Sequence, residues 1–362
     1  MQSATSSPTP LASRPHLEIL DGLRGVAAVA VVVFHFMEII IPDSTKNFIG
    51  HGYLAVDFFF CLSGFVIAYA YDNRIEEMSF TKFFMLRLIR LHPLILIGTV
   101  IGLVEYFFDP FVSLYAIYGA GKTLLLSISS AFLIPYPLVK DRYANIYHLN
   151  PPTWSLLWEY IASIIYATLL FKLRNKALWV LIIFAAGVLF YTAYHFKNLA
   201  AGWSGETFWG GGARVFFSFL AGMLVYRSQW ILSSRLGLGS ASLLLLLALL
   251  SPFSNQLNWI TEPLIIIFYF PFLISLGAGA QLSDRLAAVC KFSGNISYPL
   301  YIVHYPFIWL FFSYMAAQKP SAGQLSILVP LATIALIVLA YLTLIWLDIP
   351  IRRYLKRRLE KA

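Results

Sequence analysis

The chain has 362 residues, of which 59% are hydrophobic, 17% aromatic and only 12% charged, where soluble domains carry roughly a quarter charged residues. That balance excludes an ordinary water-soluble protein, and no polar block is long enough to fold as a separate domain. The net charge of +9 does not mark a nucleic-acid binder, because the basic residues stand in clusters between apolar runs, where they set membrane orientation.

Residues 1–16, MQSATSSPTPLASRPH, are rich in Ser, Thr and Pro and hold no apolar run. They predict a disordered cytoplasmic lead and not a signal peptide. Beyond them, a spanning helix needs about 20 apolar residues. That rule marks spans near 22–41, 52–71, 91–108, 154–171, 177–195, 213–226, 240–254, 263–280, 296–314 and 325–347. An eleventh apolar segment, 123–139, is interrupted by IPYPLV. If it dips in and returns, 19 of the 26 Lys and Arg fall on the side of the N-terminus, and if it crosses, 11 do. The positive-inside rule therefore predicts an all-α polytopic bundle of about ten spans, with 123–139 re-entrant and both termini cytoplasmic. Re-entrant backbone must be satisfied by protein or water, so this segment is expected to line a cavity. The membrane domain then covers 17–350, and the basic stretch 351–362, IRRYLKRRLEKA, reads as a cytoplasmic tail at the anionic leaflet. Cys61 falls inside a span and Cys290 in a short polar loop, so no disulfide is expected between them. No internal repeat is visible, which counts against an inverted-repeat transporter.

Polar residues interrupt this pattern in three places. In LDGLRGVAAVAVVVFHF, Arg24 and His35 are 11 residues apart. At 3.6 residues per turn they share one helix face, about 16 Å apart along the axis. Asp57 in GYLAVDFFFCLSGF and Glu159 in PPTWSLLWEY each open an inward-running span and fall at about the depth of His35. Ionisable residues inside a bilayer are costly and normally face a bundle interior or water, so three at one level predict an outer acid/base cluster. The competing reading of a lone intramembrane histidine is a structural hydrogen-bonder.

At the cytoplasmic face, SFTKFFMLRLIRLHP puts Arg87 and Arg90 at i,i+3, on one side of a helix and level with Arg24. Three guanidiniums there form a phosphate clamp, since each offers forked donors. Positive-inside flanking accounts for Arg87 and Arg90 equally well. The third place is SGNISYPLYIVHYPFI, where His304 stands among Tyr298, Tyr301 and Tyr305, again with a structural hydrogen-bonded histidine as the alternative. An anion site inside, a buried polar path and an outer acid/base cluster point to moving a group from a phosphate-bearing donor to an acceptor on the other side. A proton-coupled transporter would also use intramembrane His, Asp and Glu, but it leaves the arginines unexplained.

These stretches resemble the acyltransferase type 3 family of integral membrane O-acyltransferases. LDGLRGVAAVAVVVFH, GYLAVDFFFCLSGFVI, RLIRLHPL, TWSLLWEY and NISYPLYIVHYP follow in the family's order over about 290 residues. SLLWEY departs by one letter from a family that often shows a second acidic residue near this glutamate. The resemblance implies a ten-helix, stand-alone enzyme of the bacterial inner membrane. Its donor would be acetyl-CoA or another acyl-CoA, and its acceptor a sugar hydroxyl of a surface or exported glycan, or of a lipid-linked sugar, with no metal. In that reading Arg87 and Arg90 hold the CoA phosphates, Arg24 guides the pantetheine, and His35 is the general base, with Glu159 or Asp57 orienting it. Ser63, Tyr298, Tyr301 and His304 make up a second candidate site, Ser63 or a tyrosine being the residue for a covalent acyl-enzyme. Acylation of a small metabolite from the cytosol is the alternative that the same residues allow.

Overall fold

The computed structural model describes residues 17–137, 139–280 and 282–361, and the expected lead, 1–16, lies outside the described residues. A bilayer offers no water to backbone N–H and C=O groups, so the apolar runs close their hydrogen bonds within helices. These are α1 (Glu18–Ile40), α2 (Ala55–Tyr71), α3 (Phe80–Phe108), α4 (Leu114–Phe132), α5 (Thr153–Thr168), α6 (Asn175–Phe196), α7 (Phe208–Arg227) and α8 (Leu238–Leu249). Then come α9 (Asn258–Leu264) and α10 (Phe270–Ala278), joined by a π-helical turn, followed by α11 (Asp284–Gln318). The last helix, α12 (Ala322–Thr343), continues through the π-helical turn Leu344–Asp348 into α13 (Ile349–Leu359). No strand forms among the described residues, only two isolated bridges.

Among the described residues eight helical segments are long and apolar enough to cross a membrane, so the protein is an all-α polytopic membrane protein. Of the ten spans marked in the sequence, α5 and α8 fall short, at 16 and 12 residues, or about 24 and 18 Å against a hydrocarbon core of about 30 Å. For α5 the cause is visible. Residues 145–152 are all buried before the helix has begun. Asn150 Nδ2 donates to Ile302 O at 3.0 Å and Tyr147 OH to Leu133 O at 2.6 Å. Irregular buried backbone, satisfied by protein as the bilayer demands, therefore lies after the segment 123–139 expected to supply it. The first part of that segment completes α4, which ends where Leu133 turns left-handed with φ 55°.

Small residues bring two helix pairs together. A Cβ on Gly25 would fall 1.8 Å from Ser293 Oγ, and one on Gly294 would fall 2.6 Å from Asp21 Cβ, so α1 and α11 pack backbone to backbone. Cys290, expected in a loop, is buried in α11 at this contact. Likewise a Cβ on Gly64 would fall 2.0 Å from Phe219 O, and one on Gly222 1.8 Å from Cys61 O, closing α2 on α7. Gly22 meets Cys290, Arg24 meets Gly294, and His35 meets Tyr305, so α1 and α11 run parallel. Parallel neighbours require an odd number of crossings between them. Spans α2, α3, α6, α7 and α9–α10 give five, and α5 and α8 together would add two. A full crossing by α4 beyond these would reverse α11.

Candidate active site

Side chains of α1, α2, α3, α5 and α11, with the turn after α12, enclose a cavity of about 480 Å³, within the range of small-molecule sites. Arg24, Arg87, Arg90 and Arg352 line it, together with Asp21, Glu159 and Asp348. Ser79 caps α3, its side chain accepting from Lys82 N at 3.2 Å, and the helix it starts carries Arg87 and Arg90 one turn apart. Arg24 donates through Nε to Ser297 Oγ at 3.0 Å and through Nη2 to Gly294 O at 2.9 Å, and its Nη2 also pairs with Asp21 at 2.9 Å. Arg87 Nη2 donates to Glu159 Oε1 at 2.5 Å, and Ser63 Oγ donates to the same oxygen. Arg352 pairs with Asp348 at 2.6 Å. Arg90 reaches the cavity with no hydrogen bond or ion pair among the described residues. The basic stretch read as a leaflet anchor thus turns Arg352 back into the bundle.

The three groups expected to form one acid/base cluster are divided among three partnerships. Asp57 is fully buried and accepts from Arg214, through Nη2 at 2.5 Å and Nε at 3.1 Å. Arg214 also donates to Tyr53 O and Ala201 O. Tyr53, four residues before Asp57, lies 5.9 Å from Phe34, and the Asp57 side chain faces α7 instead of α1. Glu159 is too deep. Trp154 packs on Phe60, Glu159 meets Ser63, and Tyr166 donates to Asp72. It therefore stands six residues beyond Asp57 along α2, about 9 Å, because the chain enters the bundle before α5 starts. Neither carboxylate orients His35. That place is taken by Glu38, one turn along α1, whose Oε1 lies 2.6 Å from His35 Nδ1.

His35 stacks on His304 with ring centroids 5.4 Å apart and meets the edge of Tyr305 at 4.7 Å. His304 is fully buried, with Nδ1 3.1 Å from Leu300 O and Nε2 without a partner among the described residues. Its neighbour Tyr301, 6.0 Å away, bonds Ser155 Oγ at 2.8 Å and forms part of the cavity wall. Tyr298 lines the cavity too and donates to Leu91 O at 2.6 Å. Helix α11 thus carries a continuous stripe from Gly294 beside Arg24, through Tyr298 and Tyr301, to His304 and Tyr305 beside His35. Ser63, the candidate nucleophile, lines the cavity with its hydroxyl bonded to Glu159.

Sequence reasoning missed Glu38, Arg214, Asp348 and Arg352. Glu38 and Arg214 had a readable signal, a carboxylate three residues after a candidate base and an arginine at the start of an apolar span. Asp348 and Arg352 are brought to the cavity only by the π-helical turn.

Protein 2 in the picA locus of Rhizobium radiobacter is 31% identical over 159 residues, covering 41% of this chain and 80% of that protein. No solved structure matches the chain significantly. Residues 17–347 match an acyltransferase domain family, a span that holds the His35–Glu38 pair and all of the cavity lining except Asp348 and Arg352. The chain belongs to this acyltransferase 3 family and is a multi-pass membrane acyltransferase that transfers groups other than aminoacyl groups.

Proposed function

We propose that the protein moves an acetyl or other short acyl group from cytoplasmic acyl-CoA to a hydroxyl of a cell-surface or exported glycan, across a bacterial inner membrane with both termini cytoplasmic. The observation that carries this reading is the division of the site into two accessible sides. The arginine-lined cavity has Phe59 and Tyr301, with rings 5.8 Å apart, in its lining, while His35, 18% exposed at its side chain, is not among the residues that line it.

The cavity residues fit a CoA donor. Arg90 has unpaired donors for a phosphate, Arg24 and Arg352 flank it, and Tyr298, Ser297 and Tyr301 offer a polar and aromatic channel beyond. When bound, the donor supplies an activated acyl carbon. His35 Nε2 takes the proton from the acceptor hydroxyl as its oxygen bonds that carbon, the carbon–sulfur bond breaks, and the sulfur leaves as thiolate. Glu38 holds the imidazole in the required tautomer and balances its positive charge. Ser63 is not needed for this direct route.

The test uses the full chain in nanodiscs with radiolabelled acetyl-CoA and de-O-acylated envelope glycan from the producing cells. His35→Ala is expected to keep acetyl-CoA binding and lose transfer by about 10²–10⁴-fold. Full transfer by the variant overturns His35 as the base. Wild-type protein that labels no glycan overturns the acceptor.

A further inference from the structure

Beyond His35, on the side away from the cavity, the chain builds an aromatic surface that the transfer step above does not use. Tyr305 meets Trp309 at 5.2 Å, and Tyr143 stacks on Trp309 at 6.4 Å with 19° between the planes. Tyr143 also meets the edge of Phe312 at 5.9 Å. Trp309 is buried and fixed from three directions: its Nε1 donates to His148 O at 3.1 Å, the Arg142 guanidinium lies 4.7 Å from its ring, and Tyr143 stacks on it. Arg142 is itself held by Glu105 through two bonds of 2.9 and 2.6 Å.

Tyr143 differs from its neighbours in two ways. It is 60% exposed, and its backbone is left-handed, with φ 58°, followed by Ala144 at 48°. Side chains other than glycine, asparagine and aspartate disfavour that region by about 1–2 kcal/mol per residue. Holding a large aromatic there, facing out, is a local cost of the kind found where a side chain is presented for function. The ring is joined to the His35–Glu38 pair by a run of ring contacts, Tyr143 on Trp309, Trp309 on Tyr305 and Tyr305 on His35. Glu38 is 38% exposed at its side chain and binds His35 through Oε1, while Oε2 has no bond among the described residues.

We propose that Tyr143 and Glu38 form the acceptor subsite, Tyr143 stacking on the C–H face of a pyranose ring and Glu38 Oε2 accepting from one of its hydroxyls. A sugar ring has this double character, an apolar face bounded by equatorial hydroxyls, and seating it here directs a neighbouring hydroxyl toward His35 Nε2. The inference rests on the glycan acceptor proposed above and adds the residues that position it.

The left-handed backbone supplies a clean test. Tyr143→Gly removes the ring and relieves the backbone, so the full chain in nanodiscs should keep or raise its Tm. With de-O-acylated envelope glycan as acceptor, its KM for glycan should rise roughly three- to tenfold, the worth of one aromatic stack, with the KM for acetyl-CoA unchanged. Tyr143→Trp should keep the wild-type glycan KM. An unchanged glycan KM in Tyr143→Gly, an equal shift in the acetyl-CoA KM, or a fall in Tm overturns the subsite and leaves the glycan reading intact. Wild-type protein that transfers nothing to glycan overturns both.

Discussion

Arginines near His35 and arginines that line the cavity are treated in opposite ways. At the His35 end, Arg214 and Arg142 have side chains 1% and 5% exposed, and each gives two or more bonds to a single buried carboxylate, Asp57 or Glu105. At the cavity end, Arg24 and Arg352 keep 24% and 36% of their side chains accessible, and Arg90 has no partner among the described residues. A buried ion pair gains little net stability, because desolvation offsets the attraction, but breaking one leaves a costly lone charge. The enclosed pairs therefore fix helix positions. The accessible arginines keep donors available, as the proposed acyl-CoA donor would require. Arg87 falls between, 7% exposed and bonded to Glu159, so it belongs partly to the scaffold.

The largest expected effect breaks an enclosed pair. Asp57→Ala strands Arg214 among apolar side chains and should cost about 3–5 kcal/mol, whereas replacing both partners together by Leu and Met should recover most of it. Thermal unfolding in detergent reads this directly. If Asp57→Ala instead unfolds like wild type and loses acyl transfer, Asp57 acts in the chemistry as its depth in the sequence implied, and the contrast between the two ends fails.

That contrast also explains which parts of the molecule were legible in the sequence. Apolar run length located the long helices, because in a bilayer length and hydropathy decide the matter. The 11-residue spacing of Arg24 and His35 placed both on one face, and both do face α11, at Gly294 and at His304. Depth counting could not reveal azimuth. It set Asp57 at the level of His35 without showing that its side chain turns to α7, and it placed Glu159 wrongly because it assumed that α5 starts at the membrane boundary. Arg214 stood unassigned in an apolar span, although a buried carboxylate such as Asp57 requires a cation. Pairing intramembrane charges of opposite sign before assigning catalytic roles would have moved the search for the partner of His35 to Glu38.

A middle-sized effect separates the two arginines of α3. Arg90→Gln removes donors that no protein group uses, so Tm should stay at its wild-type value. Acetyl-CoA affinity should weaken by the about 1.5–3 kcal/mol of a charge-assisted bond, some ten- to hundredfold in Kd. Arg87→Gln should do the reverse in emphasis, lowering Tm because the buried Glu159 loses its charged partner. Equilibrium binding of acetyl-CoA alongside thermal unfolding gives both numbers. Unchanged affinity in Arg90→Gln would return that residue to a role in membrane orientation alone.

The smallest effect concerns the polar staple that closes the His35 end. His51, just before α2, donates through Nδ1 to Ser251 O at 2.9 Å, and its Nε2 lies 3.4 Å from Glu262 Oε1. Glu262 also accepts from Tyr53 OH at 2.5 Å and from Leu199 N at 2.6 Å. Burial alone would favour the neutral imidazole, but the Glu262 carboxylate and the Ser251 carbonyl outweigh it, and the pKa of His51 is raised. A raised folded pKa means that the folded chain holds the proton more tightly than the unfolded one. The resulting stabilisation is fully present below the unfolded value, about 6.5, and is lost as pH rises through the folded value. The slope in that window is at most about 1.4 kcal/mol per pH unit for one proton. His51→Gln removes the titration, so the Tm difference between wild type and variant should shrink between pH 6 and pH 8. A difference that is flat with pH would show that His51 is held neutral, leaving Glu262 as a carboxylate fixed by Tyr53 and a backbone amide alone.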